Sequence, residues 1–234
     1  MRHSLAHIMA GAIQTIWPDV KLGTGPVVDN GFYYDVDLGD TSISESDLSK
    51  IEDEMNKVIK SNTEFKQSTM TRAEAEKWAK ENNQPYKLEL IKEQDGDISF
   101  YAHGDFMDLC EGPHISKTGD IGAFKLTKLA GAYWRANEDN PQMQRIYGVA
   151  FASQKDLDEF LKNQELAEER DHRRIGKDLD LFFFSDYVGP GLPIFTPRGA
   201  MLRNKLNSYS HQLRKAMGYM EVSIPYLAKE DLYK

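Results

Sequence analysis

Asn30-Gly31 lies between Val27-Val28-Asp29 and Phe32-Tyr33-Tyr34-Asp35-Val36-Asp37 and is the strongest folding signal in the chain. Asn-Gly favours a type I′ turn, whose two central residues both need φ > 0, so the flanking runs read as the arms of a hairpin. Around it the period changes to that of helices. Leu5, Ile8, Met9, Ala12, Ile13 and Ile16 recur at i, i+3, i+4 and i+7, and Pro18 stops the pattern. A second amphipathic helix is expected over 46–60, with Ser44 or Ser46 as its cap, and a third over 71–81. Thr71 and Glu74 form a capping-box pair for the third. From 86 onward the reading turns to strands: 86–91, 98–102, 106–110, 121–126, 132–135 and 144–152. Helices and hairpins mixed without a strict βαβ alternation imply an α+β fold with a largely antiparallel sheet.

The character changes after 152. Residues 154–177 are dense in Asp, Glu, Lys and Arg, with an occasional Leu or Phe, as in a long solvated helix joining two domains. A Phe-, Gly- and Pro-rich stretch follows. The next segment, 198–217, reads as a helix carrying Arg198, Arg203, Lys205, Arg214 and Lys215 without an acidic residue, closed by Gly218. A short strand over 220–224 ends at Pro225. The expected organisation is a first domain over 1–152, a linker helix over 153–178, and the beginning of a second domain over 179–234. With 29 Lys+Arg against 37 Asp+Glu, the net charge of −8 excludes a uniformly basic nucleic-acid coat but leaves local patches open. One cysteine rules out a disulfide framework within the chain. No apolar run approaches the ~18–20 residues of a membrane span and no signal peptide opens the chain, so a cytoplasmic protein is expected.

Two spacings carry chemistry. His3-Ser-Leu-Ala-His7 puts two imidazoles one turn apart on a helix. Their face is flanked by Ala10, Gly11 and Gln14, away from the main apolar stripe, leaving room for another segment or a ligand. Cys110-Glu-Gly-Pro-His114 follows an alternating run in which Asp108 and Cys110 share one side, and Gly112-Pro113 turns His114 back toward Cys110. Three imidazoles and a thiol suit a tetrahedral zinc site, and equally a metal-free site where polar groups orient water on a carbonyl. His103 is read as a turn residue, His172 as solvated and His211 as structural.

These residues resemble the editing domain of bacterial threonyl-tRNA synthetases. The resemblance rests on His3-Ser-Leu-Ala-His7, the Asn30–Asp35 hairpin, Pro85-Tyr86-Lys87 and Asp108-Leu109-Cys110-Glu111-Gly112-Pro113-His114. Leu129-Ala130-Gly131-Ala132-Tyr133-Trp134-Arg135 and Gln144-Arg145-Ile146-Tyr147-Gly148 fit the same family. Asp178 to Phe183, Gly191 to Ala200 and Gly218 to Pro225 resemble the entry into its class II catalytic core, including the first class II motif. The resemblance implies hydrolysis of serine mischarged onto threonine tRNA. It gives His3 and Lys87 the attacking water and the terminal ribose. It gives Asp108 and Cys110 the seryl amine and side chain, His7 and His114 the rest of the polar cluster, and Tyr34 a place in the pocket wall. It leaves open whether zinc sits at His3, His7, Cys110 and His114.

Ligation of threonine, with its ATP and core zinc, would need class II motifs that this sequence lacks; the full-length family is a homodimer. Lys117, Lys125, Lys128 and Arg135 are candidates to lead tRNA phosphates to the pocket. Two other classes compete: a freestanding zinc-dependent aminoacyl-tRNA deacylase, and a non-catalytic tRNA-binding or dimerisation module.

Overall fold

The computed structural model describes residues 1–223 and divides the chain into two compact units, Met1–Lys162 and Asn163–Lys234. The first unit opens with α1 (Arg2–Ile16). Two short strands, β1 (Lys21–Leu22) and β2 (Val27–Val28), then precede the longer β3 (Gly31–Asp37). There follow α2 (Leu48–Ser61), β4 (Lys66–Met70), α3 (Arg72–Glu81) and α4 (Pro85–Glu93). Strands β5 (Ile98–His103) and β6 (Phe106–Leu109) form a hairpin, and β7 (Ala123–Tyr133) and β8 (Gln142–Phe151) complete the main sheet. That sheet runs β1-β3-β8-β7 with β2 added on β3; β4-β5-β6 form a second sheet, and every pairing is antiparallel. The expected α+β class is what the chain adopts.

Period-2 burial decides the main sheet. Phe32, Tyr34 and Val36 of β3 and Ile146 of β8 point to one face, where Leu5, Ile8, Met9 and Ile13 of α1 and Ile51 and Met55 of α2 close the core. A smaller core joins Ala75 and Ala79 of α3 and Ile91 of α4 to Ile98 and Phe100 of β5. The hairpin at Asn30 forms with a different turn from the expected one. Val28 pairs with Gly31, so Asp29 and Asn30 make the loop, and only Asn30 of the two has a positive φ (58°). Gly31 is required for another reason: a Cβ there would lie 2.3 Å from the Gly148 carbonyl oxygen on β8.

Four further expectations change. Residues 86–91 form helix α4 rather than a strand: Pro85 occupies its first turn, where its missing N–H costs nothing, and Tyr86, Lys87 and Ile91 are the buried positions. Of the segments 121–126 and 132–135, residues 123–126 and 132–133 are the two ends of the single strand β7, bent by a bulge between Leu126 and Lys128, and Trp134–Ala136 form a 3₁₀ turn. The second helix starts with a 3₁₀ turn, Glu45–Asp47, in which Ser44 and Asp47 form the capping box that Ser46 could not. The charged segment is broken in two. After α5 (Gln154–Glu169), Asp171 caps α6 (His172–Asp178) by accepting the Arg173 N–H.

The second unit also contains β9 (Phe182–Phe183) paired antiparallel with β10 (Ile194–Phe195), and α7 (Pro197–Ala216), capped by the Thr196 hydroxyl. Met220 to Ser223 form no strand, and Ile224 and Pro225 lie outside the described residues. Among the described residues, no helix is long and apolar enough to cross a membrane.

Ile146 is fully buried between α1 and the sheet. Ile146→Ala should destabilise the first unit by about 2–5 kcal/mol, read as a lowered urea midpoint at unchanged slope.

Candidate active site

Helix α1 is buried on nearly all sides from Ser4 to Ile13, so the histidine face is not solvated. The space beside Gly11 holds the β5–β6 hairpin: a Cβ on Gly11 would come 2.9 Å from Phe106 Cγ and 3.1 Å from His103 Cε1. His103 is thus not a turn residue. It ends β5, buried, with its ring edge-on to His7 at 5.2 Å. This packing brings Asp108 of β6, and Cys110 just beyond its end, alongside α1.

The site residues form two groups around one cleft of about 320 Å³, walled by His3, His7, Tyr34, Lys87, Asp108 and Cys110, with Thr24, Gly25, Pro26 and Leu90 opposite. In the first group, Lys87 Nζ lies 2.8 Å from Asp108 Oδ2 and donates to the Tyr34 hydroxyl at 3.0 Å. Tyr34 in turn donates to the same carboxylate oxygen at 2.5 Å. Asp108 Oδ1 accepts the Leu109 N–H at 2.8 Å. The Lys87 and Asp108 side chains are each 3% exposed, so Lys87 is buried, on a helix and not on the expected strand. Burial, then the Asp108 charge, hold the Tyr34 hydroxyl well above the usual phenol range, which keeps it a donor.

The second group centres on Cys110. Its Sγ lies 3.2 Å from His3 Nε2 and 3.1 Å from His114 Nε2. The His114 Nδ1 meets the Ser4 hydroxyl at 3.1 Å, and the Pro113 carbonyl accepts a hydrogen bond from the His3 ring. Phe65 stacks on His114 at 4.8 Å. Burial pushes the Cys110 thiol up and the His3, His7 and His114 imidazoles down, His114 to about 3. The neighbouring histidines lower His114 further. All three rings are therefore neutral near pH 7.

The donor atoms of His3, Cys110 and His114 lie within 4.8 Å of one another, whereas His7 stands outside that set. His7 Nε2 and His103 Nε2 are buried with no hydrogen-bond partner among the described residues. His114 touches Cys110 without lining the cleft. The sequence reading missed Ser4, Phe65 and the pocket wall at Gly25-Pro26. Ser4 sits inside the His3–His7 spacing and could have been found from it; nothing local marked the others.

Three of the four expected phosphate-leading cations have carboxylate partners. Lys125 pairs with Glu52 at 2.9 Å, Arg135 with Glu89 and Glu93, and Lys117 reaches Glu64 at 4.0 Å. Of the remaining histidines, His172 is exposed at the start of α6, and His211 stands 3.7 Å from Glu221.

A helical His pair faces the Cys110–His114 turn, beside a buried Lys–Asp–Tyr group. Residues 98–147 match the family described as the threonyl and alanyl tRNA synthetase second additional domain. Beyond that segment the likeness extends to threonine–tRNA ligases. The chain is 47% identical to the enzyme of Acetivibrio thermocellus over 234 residues, covering 99% of the chain and 36% of the relative. It is 48% identical to that of Enterococcus faecalis over 237 residues (100% and 36%) and 46% identical to that of Thermotoga petrophila over 236 (100% and 37%). Along its whole length the chain therefore matches a segment of threonine–tRNA ligase, spanning little more than a third of these relatives, and the resemblance read from the sequence is borne out.

The depressed imidazoles fix a pH dependence. Unfolded histidines bind protons near pH 6.5, whereas the folded His7 and His114 do so only much lower, so stability falls as pH drops. The urea midpoint should decline from pH 7 to 5, and His114→Gln should make that decline shallower.

Proposed function

We propose that this chain hydrolyses the ester of serine mischarged onto threonine tRNA. One observation carries the reading: neutral His3, the Lys87 ammonium, Asp108, Tyr34 and Cys110 converge on one cleft in a chain that matches threonine–tRNA ligases. Serine lacks one methyl group of threonine. A synthetic pocket gains only ~1–3 kcal/mol from such a group, so a second site that admits seryl esters multiplies the discrimination.

In this reading His3 Nε2, at the cleft wall, exchanges its contact with the Cys110 thiol for one with water and takes a proton from that water as it attacks the ester carbonyl. The carbonyl oxygen becomes an oxyanion, which the Lys87 ammonium stabilises from its fixed place against Asp108. The C–O bond to the ribose then breaks, the ribose oxygen takes the proton back from the His3 ring, and serine leaves as its acid, which gives its proton to solvent. Asp108 and Cys110 face the amine and hydroxyl of serine, and Tyr34 closes the wall. Neutral His114, held by Ser4, orients Cys110, and neutral His7 packs its ring against His114.

The same donors support a zinc reading. His3, Cys110 and His114 supply the ligand types and spacing of an open three-ligand site, and the Pro113 carbonyl and Ser4 hydroxyl fix the two rings. A bound zinc would supply Lewis acidity. His7 would not ligate, and Cys110 would have to lose the proton that burial favours. Zinc retained after dialysis by the protein but not by Cys110→Ser supports this reading; zinc lost by both overturns it.

The partner in this reading is the acceptor end of threonine tRNA in a cytoplasmic setting. Threonine ligation, ATP binding and homodimerisation are assigned to the longer enzyme. Seryl-tRNA hydrolysis tests the proposal. His3→Ala should slow it by about 10²–10⁴-fold at an unchanged melting temperature. Ester loss at the buffer rate with the unsubstituted protein, or an equal rate for His3→Ala, would sink it.

A further inference from the structure

The face of the main sheet turned away from α1 and α2 carries a row of flat and cationic groups in register. Tyr33 on β3 pairs with Tyr147 on β8, and Tyr147 pairs with Lys128 on β7. The two rings stand 5.5 Å apart. Lys128 Nζ sits 4.6 Å from the centroid of Tyr147, and the Arg145 guanidinium lies 4.0 Å from that of Tyr33. Asp35 holds Arg145 through two hydrogen bonds, at 2.6 and 2.8 Å, so its plane is fixed. Tyr33, Tyr147 and Arg145 are half-buried and Lys128 is exposed.

We propose that this row binds the unpaired RNA strand leading to the ester, an inference that rests on the hydrolase reading of the cleft. Three observations select this occupant. Bases stack on tyrosine rings and guanidinium planes irrespective of sequence, and two inter-strand steps of about 4.8 Å give room for two or three of them. Lys128, alone of the four cations expected to meet phosphate, has no carboxylate partner among the described residues, so its charge is available. The row also reaches the sheet edge beside the cleft: the Tyr33 N–H donates to the Pro26 carbonyl at 3.3 Å, and Pro26, exposed on that edge, lines the cleft wall on the opposite face. A cross-strand ring pair by itself serves the sheet. The unpaired ammonium on its open side and the adjoining cleft wall are what point to a ligand.

The test compares two substrates on the full chain, seryl-tRNA and the seryl ester of adenosine alone. Tyr147→Leu should raise KM for seryl-tRNA about tenfold at unchanged kcat, with Tyr147→Phe restoring it. Lys128→Gln should raise that KM and flatten its salt dependence. The adenosine ester, too short to reach the row, should be hydrolysed alike by all three variants. Equal losses on both substrates, or no change on either, overturn the row as an RNA platform. If the unsubstituted protein hydrolyses neither ester, the hydrolase reading fails. Fluorescence anisotropy with a labelled single-stranded oligoribonucleotide then still reads the row: binding that weakens in Tyr147→Leu supports it. Binding unaffected by Tyr147→Leu, or binding only to an unrelated acidic peptide, refutes it.

Discussion

The Lys87–Asp108 ion pair is the contact on which the arrangement of the first unit turns. An ammonium and a carboxylate taken out of water lose solvation worth several kcal/mol each, which only close geometry and additional hydrogen bonds offset. Here the Tyr34 hydroxyl and the Leu109 N–H complete the set around Asp108. The three side chains come from α4, β6 and β3, elements of two different sheets and the helix beside them. Neither Lys87 nor Asp108 can shift without leaving a buried charge unpaired, and a shift of Tyr34 removes a hydrogen bond from each. The pair therefore fixes how the small core of α3, α4 and β5 meets the main sheet, and the cleft lies where they meet.

Glycines let the parts approach. Gly11 admits the β5–β6 hairpin against α1, and Gly31 admits β8 against β3. Without the first contact Cys110 could not stand between His3 and His114. The cost of this close packing is visible in the histidines. His7 and His103 each leave a ring nitrogen buried without a partner among the described residues, a debt that a small polar ligand in the cleft or an ordered water would settle.

Much of this was readable from local pattern. The period of α1, the Thr71–Glu74 cap and the returning turn from Cys110 to His114 are short-range signals, and each survives in the structure. The errors share a cause. In 86–91, Tyr86, Leu88 and Leu90 alternate as a strand would, yet nine residues with Pro85 at the start and Ile91 inward fit a helix equally. Only the packing of Ile91 on Phe100, and of Lys87 on Asp108, decides between them. Nothing local shows that Lys87 is buried, because its counter-charge is 21 residues away. Gly31 reads as a turn residue because the strand that crowds it lies more than a hundred positions further on. The paired Lys125 and Arg135 are the same failure in reverse: charge along the sequence says nothing about the carboxylate that meets it in space.

Electrostatics then narrows what the cleft can do. Desolvation keeps three imidazoles neutral and the Cys110 thiol protonated, so Lys87 is the one side chain among those six wall groups that brings positive charge, and Asp108 already engages it. Such a site has little net field with which to attract phosphate. On the proposed hydrolase reading, its polar groups would receive a neutral carbonyl and the charge that develops on it. The attraction for a charged nucleic acid must come from outside the cleft. In a chain of net charge −8, whose nearby lysines and arginine are mostly paired, few surfaces can provide it. The separation is physically sensible: a cation free enough to hold a phosphate in the cleft would also hold a shell of water around itself, and would lose the fixed geometry that Lys87 has against Asp108.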